Sequence, residues 1–140
     1  MLTRLLVPVD LAEPQMTKLA VDYAETLAKA FDAEIRLANV QSLTPIKLLD
    51  YLPRDFDENI RRGFESELAK VAADIDCPAE RISTVLLFGP VYQTILAEAG
   101  RWGADLIVLC SHRPDMDRFL IGSNASAIVR HAACPVLVLR

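Results

Sequence analysis

Two stretches of this chain carry residues whose types and spacing could do chemistry. The first is Asp10, which closes the apolar run Leu5-Leu6-Val7-Pro8-Val9. A carboxylate at a strand end can accept from an amino group, hold a sugar hydroxyl or a metal, or cap the next helix, since Asp is among the best N-cap residues. Pro14 lies four residues on, so the helix is expected to begin after the position Asp10 would cap. The second is Gly122-Ser123-Asn124, directly before a segment carrying Ile128 and Val129. A glycine there lets backbone approach a ligand, Ser123 or Asn124 can cap the helix, and the first-turn N–H groups with the helix dipole favour an anion. A capped helix with no ligand explains the same residues. The stretch is neither a Walker sequence nor a GxGxxG fingerprint. Between the two groups in chemistry lies "SHRP", Ser111 to Pro114, a polar exit from the apolar run Leu106–Leu109. His112 there reads equally as a ligand contact or as a loop histidine bonded to backbone.

The elements that must position these residues alternate throughout. Leu5–Val9 is a short continuous apolar run, the mark of a strand covered on both faces. From Pro14 to Phe31, Leu19, Ala20, Tyr23, Ala24, Leu27, Ala28 and Phe31 recur at three- and four-residue spacing, as in an amphipathic helix. Glu34–Val40 is the second strand, and Gln41–Pro53, with two prolines and no period, an irregular loop. Asp55–Ile75 is a second helix and Arg81–Phe88 the third strand. Gly89-Pro90 makes a turn into a third helix that runs to Arg101, where Gly103 supplies a C-terminal cap. Ala104–Cys110, Ser123–Ala132 and Pro135–Arg140 complete the series as strand, helix and strand. This order demands an α/β fold: one domain over residues 1–140, a doubly wound, mostly parallel sheet with helices on both faces. Such sheets bind ligands at the carboxyl ends of their strands, where strand order reverses. The turns Pro8–Glu13, Val40–Ser42, Phe88–Val91 and Cys110–Asn124 are therefore the places for a site.

Composition narrows the classes. With 140 residues, 52% hydrophobic and 24% charged, the chain has enough apolar sequence for one substantial core. Its net charge of -4 argues against a nucleic-acid surface, which needs clustered Lys and Arg. No apolar run approaches the roughly 18 to 20 residues of a membrane span. Pro8 and Asp10 interrupt the stretch where a signal peptide keeps its apolar core, so a cytoplasmic location is expected. Cys77, Cys110 and Cys134 show no CxxC spacing and read as reduced thiols, Cys110 and Cys134 at strand edges as small core residues. His112 and His131 make no recognisable zinc site. His131 falls at a helix C-terminus and is read as structural.

Three segments together, "VPVD" near the start, "SHR…LIGSNAS" after the fourth strand and "RHAACPVLVLR" at the end, resemble the universal stress protein family over essentially the whole chain. The resemblance implies a five-stranded parallel sheet in the order 3-2-1-4-5, the Rossmann-like arrangement of adenine nucleotide alpha hydrolase-like proteins. It also implies a homodimer whose fifth strands pair across a two-fold axis. Nucleotide-binding members carry G-x2-G-x9-G-[S/T] between the fourth strand and the fourth helix. Carried over, the first glycine falls on Cys110 and the second on Arg113, while Gly122 and Ser123 match the end. The spacer, Pro114 to Ile121, holds eight residues. Arg113 cannot adopt positive φ as cheaply as glycine, and as the residue before Pro114 it is pushed toward extended conformations. It offers instead a guanidinium suited to bidentate phosphate contact. The same variant is similar to that of the F- and G-type members.

On this resemblance Pro8, Val9 and Asp10 surround the adenine and ribose, and Val40 offers backbone contacts to the base. Leu109 and Cys110 line the opposite wall. Ser111, His112 and Arg113 face ribose and phosphates, and Gly122, Ser123, Asn124 and Ala125 donate to phosphate oxygens. The implied ligand is ATP or AMP, with or without Mg2+, and the implied role is a stress-response regulator whose surface for a protein partner changes on binding. A slow ATPase or self-phosphorylating enzyme is the alternative. It would need a base and a metal-holding carboxylate near the terminal phosphate, where Asp115 and Asp117 are nearest. A nucleotide-free interaction module is the third reading.

Overall fold

The computed structural model describes residues 2–41, 56–111 and 122–140. The expected loop after Gln41, the first residue of the second helix, His112, Arg113, Asp115 and Asp117 lie outside them. Strands β1 (Arg4–Pro8), β2 (Glu34–Gln41), β3 (Ile82–Phe88), β4 (Leu106–Cys110) and β5 (Val136–Leu139) alternate with helices α1 (Pro14–Phe31), α2 (Phe56–Ala73), α3 (Val91–Trp102) and α4 (Ser123–His131). The sheet is five-stranded and parallel in the order β3-β2-β1-β4-β5. Expected and observed ends differ by one or two residues. At the start of the third strand Ala79–Arg81 forms a 3-10 turn, so the ladder begins at Ile82, one residue later than expected.

The continuous apolar runs are explained by burial on both faces. In β1, Leu5 and Val7 point into one core with Leu37, Ala24 and Leu68, which α1 and α2 cover. Leu6 points the other way, into a core with Ala38, Ile107, Ile95 and Ile128, under α3 and α4. Leu5, Leu6 and Val7 are completely buried, and removing such side chains from water stabilises the fold by roughly 1.5–3 kcal/mol each.

Helix ends set the entry and exit of each turn. Pro14 opens α1 after Glu13, and Asp32 closes it in the left-handed conformation at φ 54°. α3 follows Pro90 and ends at Gly103, whose φ of 78° suits glycine. Trp102, the last residue of α3, packs with the Arg36 guanidinium 4.6 Å and the Arg4 guanidinium 5.7 Å from its ring. Arg36 also donates to Ser83 and to Glu98, a carboxylate only 2% exposed that accepts from Arg101 as well. Asp105 ties the start of β1 to the turn before β4, accepting from the N–H and hydroxyl of Thr3 and the N–H of Arg4.

Candidate functional site

From β1 the chain runs outward one way through β2 and β3, then crosses back to β4 on the other side of β1. Beyond the carboxyl ends of β1 and β4, where the two directions part, neighbouring loops diverge and leave a crevice. A cleft of about 630 Å³ opens there. Pro8, Val9, Asp10, Val40, Leu109, Cys110, Asn124 and Ala125 line it together, with Ala12, Met16, Thr17, Asn39, Gln41 and Phe64 among the others. Ser111 and Gly122 stand at its β4–α4 side, and Ser123 opens α4. His112 and Arg113 are outside the described residues.

The β1–α1 turn is held by Asp10 from both ends. Its carboxylate Oδ1 accepts from Ala12 N–H at 2.9 Å, and its carbonyl accepts from Glu13 N–H at 3.1 Å and the Thr17 hydroxyl at 2.8 Å. Asp10 is therefore an exposed turn residue, and α1 starts after Glu13 with no side-chain cap. Val9 is placed just as firmly. Its N–H donates to Ala38 O and its carbonyl accepts from the Asn39 amide, both at 2.8 Å. Its side chain packs into the core under α1, with 5% exposed.

β2 continues past the end of β1. Ala38 O faces β1, where it meets Val9, and Gln41 O faces β3, where it meets Gly89 N–H at 3.0 Å. Backbone groups alternate sides along a strand, so the N–H and C=O of Val40 point to the β1 side. β1 has already ended there, its last rung pairing Pro8 with Ala38.

On the β4 side, Ser111 N–H donates to Leu139 O at 2.9 Å and Ser111 O accepts from Gly122 N–H at 3.2 Å. The chain thus leaves β4 and returns to open α4 at one neck. Gly122 has an ordinary φ of −56°, so its freedom to turn is not what the position requires. A Cβ there would lie 2.8 Å from the Ser111 carbonyl oxygen. The reason for glycine is close approach.

Neither Ser123 nor Asn124 caps α4, contrary to the expectation from sequence. Gly122 is the N-cap residue, and the helix has no side-chain cap bond. Ser123 and Asn124 are one and two positions too late to fold back on the N–H groups that need an acceptor. The first backbone bond inside the helix is Ser126 N–H to Gly122 O. The N–H groups of Ser123, Asn124 and Ala125 therefore come before the helical ladder, and Asn124 and Ala125 line the cleft. Ser111 beside them is 5% exposed, and among the described residues its hydroxyl has no hydrogen-bond partner. A buried hydroxyl of this kind calls for a partner. Among the described lining residues the charged side chains are Asp10 and Glu67, both acidic.

His131 sits in the last turn of α4 with its ring stacked on Tyr92, centroids 6.0 Å apart, which fits a structural histidine. Burial pushes the Cys134 thiol up, and likewise the Cys77 thiol, the latter beside Glu25. Neither is held as a reactive thiolate. Sequence reasoning missed Thr17, Asn39 and Gln41. The available signal was a polar residue, Asn39, within the otherwise apolar stretch Leu37–Val40.

A doubly wound α/β domain with a cleft at its switch point, and a helix N-terminus without a side-chain cap in one wall, has the architecture in which parallel sheets place their ligand sites. The family model described as "Universal stress protein family" matches residues 1–140, and the chain belongs to that family. Universal stress protein G of Escherichia coli O157:H7 is 33% identical over 139 residues, 97% of each chain. A universal stress protein solved in complex with cAMP has the same fold, with a TM-score of 0.73 at 18% identity, covering 99% of this chain and 97% of that one. The universal stress protein from Archaeoglobus fulgidus solved in complex with dAMP gives 0.70 at 21% identity, covering 99% and 98%.

Proposed function

We propose that this chain is an adenine-nucleotide-binding regulator of the stress response, acting in the cytoplasm as a homodimer. ATP or AMP occupies the cleft and sets the surface offered to a protein partner. The observation that carries this reading is the opening of α4: N–H groups without a side-chain cap, beside a buried Ser111 hydroxyl that has no partner among the described residues. That combination suits a phosphate oxygen. The cleft volume falls within the roughly 300–1,000 Å³ of small-molecule sites. Val40, two residues past the last rung with β1, offers a backbone donor and an acceptor suited to the edge of a base, and Asp10 is assigned to the ribose. The two family members solved with cAMP and dAMP support an adenine nucleotide over other anions.

The described lining brings no cation to the phosphates. Counter-charge then comes from the α4 dipole, from Mg2+ when the ligand is ATP, and from Arg113. Dimerisation is assigned to β5, which among the described strands pairs with β4 and ends the sheet. An open strand edge of this kind takes a second strand readily, and the mass in solution checks it.

Thermal unfolding with and without ATP or AMP tests the ligand, since one that binds only the folded state raises the midpoint. Mass analysis of any small molecule released on denaturation names it. If neither nucleotide moves the midpoint and nothing is released, the reading fails.

A further inference from the structure

Asn39 and Gln41 lie on the same face of β2, and both line the cleft. The hydrogen bonds between them fix which end of each amide faces which way. Asn39 is 2% exposed, and its amide meets the Val9 carbonyl at 2.8 Å. A carbonyl can only accept, so the nitrogen of Asn39 must be the atom pointing at it. The Asn39 oxygen therefore faces Gln41, and the Gln41 amide 2.8 Å away must present its own nitrogen. This leaves Gln41 Oε1 as the acceptor not used within the pair, and among the described residues nothing donates to it. Three amide groups are in this way oriented in series from the end of β1, and the last displays an acceptor at the cleft.

Val40 stands between the two amide residues in sequence, with its backbone donor and acceptor pointing past the end of β1. The Val40 C=O and the Gln41 Oε1 are two acceptors, and the Val40 N–H is a donor. An exocyclic amino group has two hydrogens to give, and the ring nitrogen beside it in adenine accepts one. A 6-oxo purine reverses both functions, placing an oxygen against acceptors and an N–H against a donor. We infer that Gln41, oriented by Asn39, is a specificity-determining residue that accepts from the exocyclic amino group of the bound base and excludes 6-oxo purines. Asn39 acts as the positioning residue. The inference rests on the nucleotide reading above and adds to it the means of choosing the base.

The test is calorimetric titration of the whole protein with ATP and with ITP at equal Mg2+. The two ligands share ribose and triphosphate and differ at the 6-position and N1. Wild-type protein is expected to bind ATP at least about tenfold more tightly, because a site built to hydrogen-bond one group leaves buried polar atoms unpaired with its analogue. Gln41→Met keeps the length of the side chain without its acceptor, and is expected to bring the ratio within about threefold. Gln41→Leu likewise removes the acceptor, and the preference should fall in it as well. Unligated melting points report whether each variant folds, and the second variant serves if the first does not. An undiminished ATP preference in folded Gln41→Met, or in folded Gln41→Leu, overturns the inference and leaves nucleotide binding standing. Equal wild-type affinities for ATP and ITP overturn it as well. Failure of the wild type to bind either nucleotide overturns both readings.

Discussion

Replacing Gly122 with alanine tests the neck of the cleft most directly. The backbone conformation at this position, φ −56° and ψ 152°, is open to any residue, so alanine brings no torsional strain. It stiffens the unfolded chain, which by itself stabilises by about 0.4–1 kcal/mol. Against this stands the new methyl, 2.8 Å from the Ser111 carbonyl oxygen. Because that oxygen is backbone, it cannot swing aside, and the start of α4 must back away from the end of β4. Overpacking of this kind costs about 1–3 kcal/mol, and the 3.2 Å bond from Gly122 N–H to Ser111 O weakens with it. The net loss should be about 1 kcal/mol, or ~3 °C in the midpoint of a chain this long.

The larger effect should be on the ligand. With ATP at a hundred times its dissociation constant, binding adds ~2.7 kcal/mol to stability, which is ~9 °C for 140 residues. If displacement of the first helical turn weakens phosphate binding about tenfold, the addition falls to ~1.4 kcal/mol, or ~5 °C. Scanning calorimetry of both proteins at several ATP concentrations separates the two losses. Gly63→Ala is the control: its Cβ meets nothing within 4 Å on the exposed side of α2. It should raise the unligated midpoint by ~2–3 °C, from a gain of about 0.5–1 kcal/mol, and leave the ATP increment unchanged. If Gly122→Ala matches wild type in both midpoint and increment, the close approach to Ser111 has no energetic consequence and the assigned role of this glycine is wrong.

Three further outcomes are expected. Glu98→Ala leaves the half-buried Arg36 without its carboxylate and should cost about 3 kcal/mol in urea unfolding, whereas Lys70→Ala, which breaks only an exposed pair with Glu67, should change stability by less than about 0.5 kcal/mol. Burial raises the Asp105 carboxyl, but its bonds from Thr3 and Arg4 outweigh burial and hold it below the usual range; its contribution is therefore complete above the unfolded value of about 4 and is lost as pH falls through the lower folded value, so an acid-unfolding curve of Asp105→Asn should lack that component. EDTA should weaken ATP binding severalfold more than AMP binding, because only the longer phosphate chain depends on Mg2+ for counter-charge beside Asp10 and Glu67; equal effects on the two nucleotides would remove the metal from this account.

The fold was legible because its elements are of the kind that sequence patterns report well. Runs such as Leu5–Val9 and Leu106–Leu109 are apolar on both faces only in a covered parallel sheet, and α1 shows its buried stripe at Ala20, Ala24 and Ala28. Strand ends were less legible, because the ladder is set by partners: β3 begins where Ile82 meets Ile35, and no residue of its own marks the place. The site was legible where one residue type does one thing, as with Asp10 at a strand end and Gly122 before a helix. The choice of N-cap was not, since Gly122, Ser123 and Asn124 are all acceptable caps and only the approach to Ser111 decides among them.

Asn39 and Gln41 show a different limit. Each is an ordinary polar residue in sequence, and neither belongs to a phosphate-binding pattern. Their meaning comes from one carbonyl, that of Val9, thirty residues from Asn39. Because that carbonyl can only accept, it sets the direction of Asn39, and Asn39 sets that of Gln41. The side of the cleft proposed for phosphate works in the opposite manner: its N–H groups are oriented by the helix itself, whatever the side chains are. A family can therefore preserve an anion site through the backbone geometry around Gly122 while changing which base it admits at β2. On the proposed reading, the part of the cleft that a glycine pattern reports is the part assigned to phosphate, and the part assigned to choosing the base lies where no such pattern reaches.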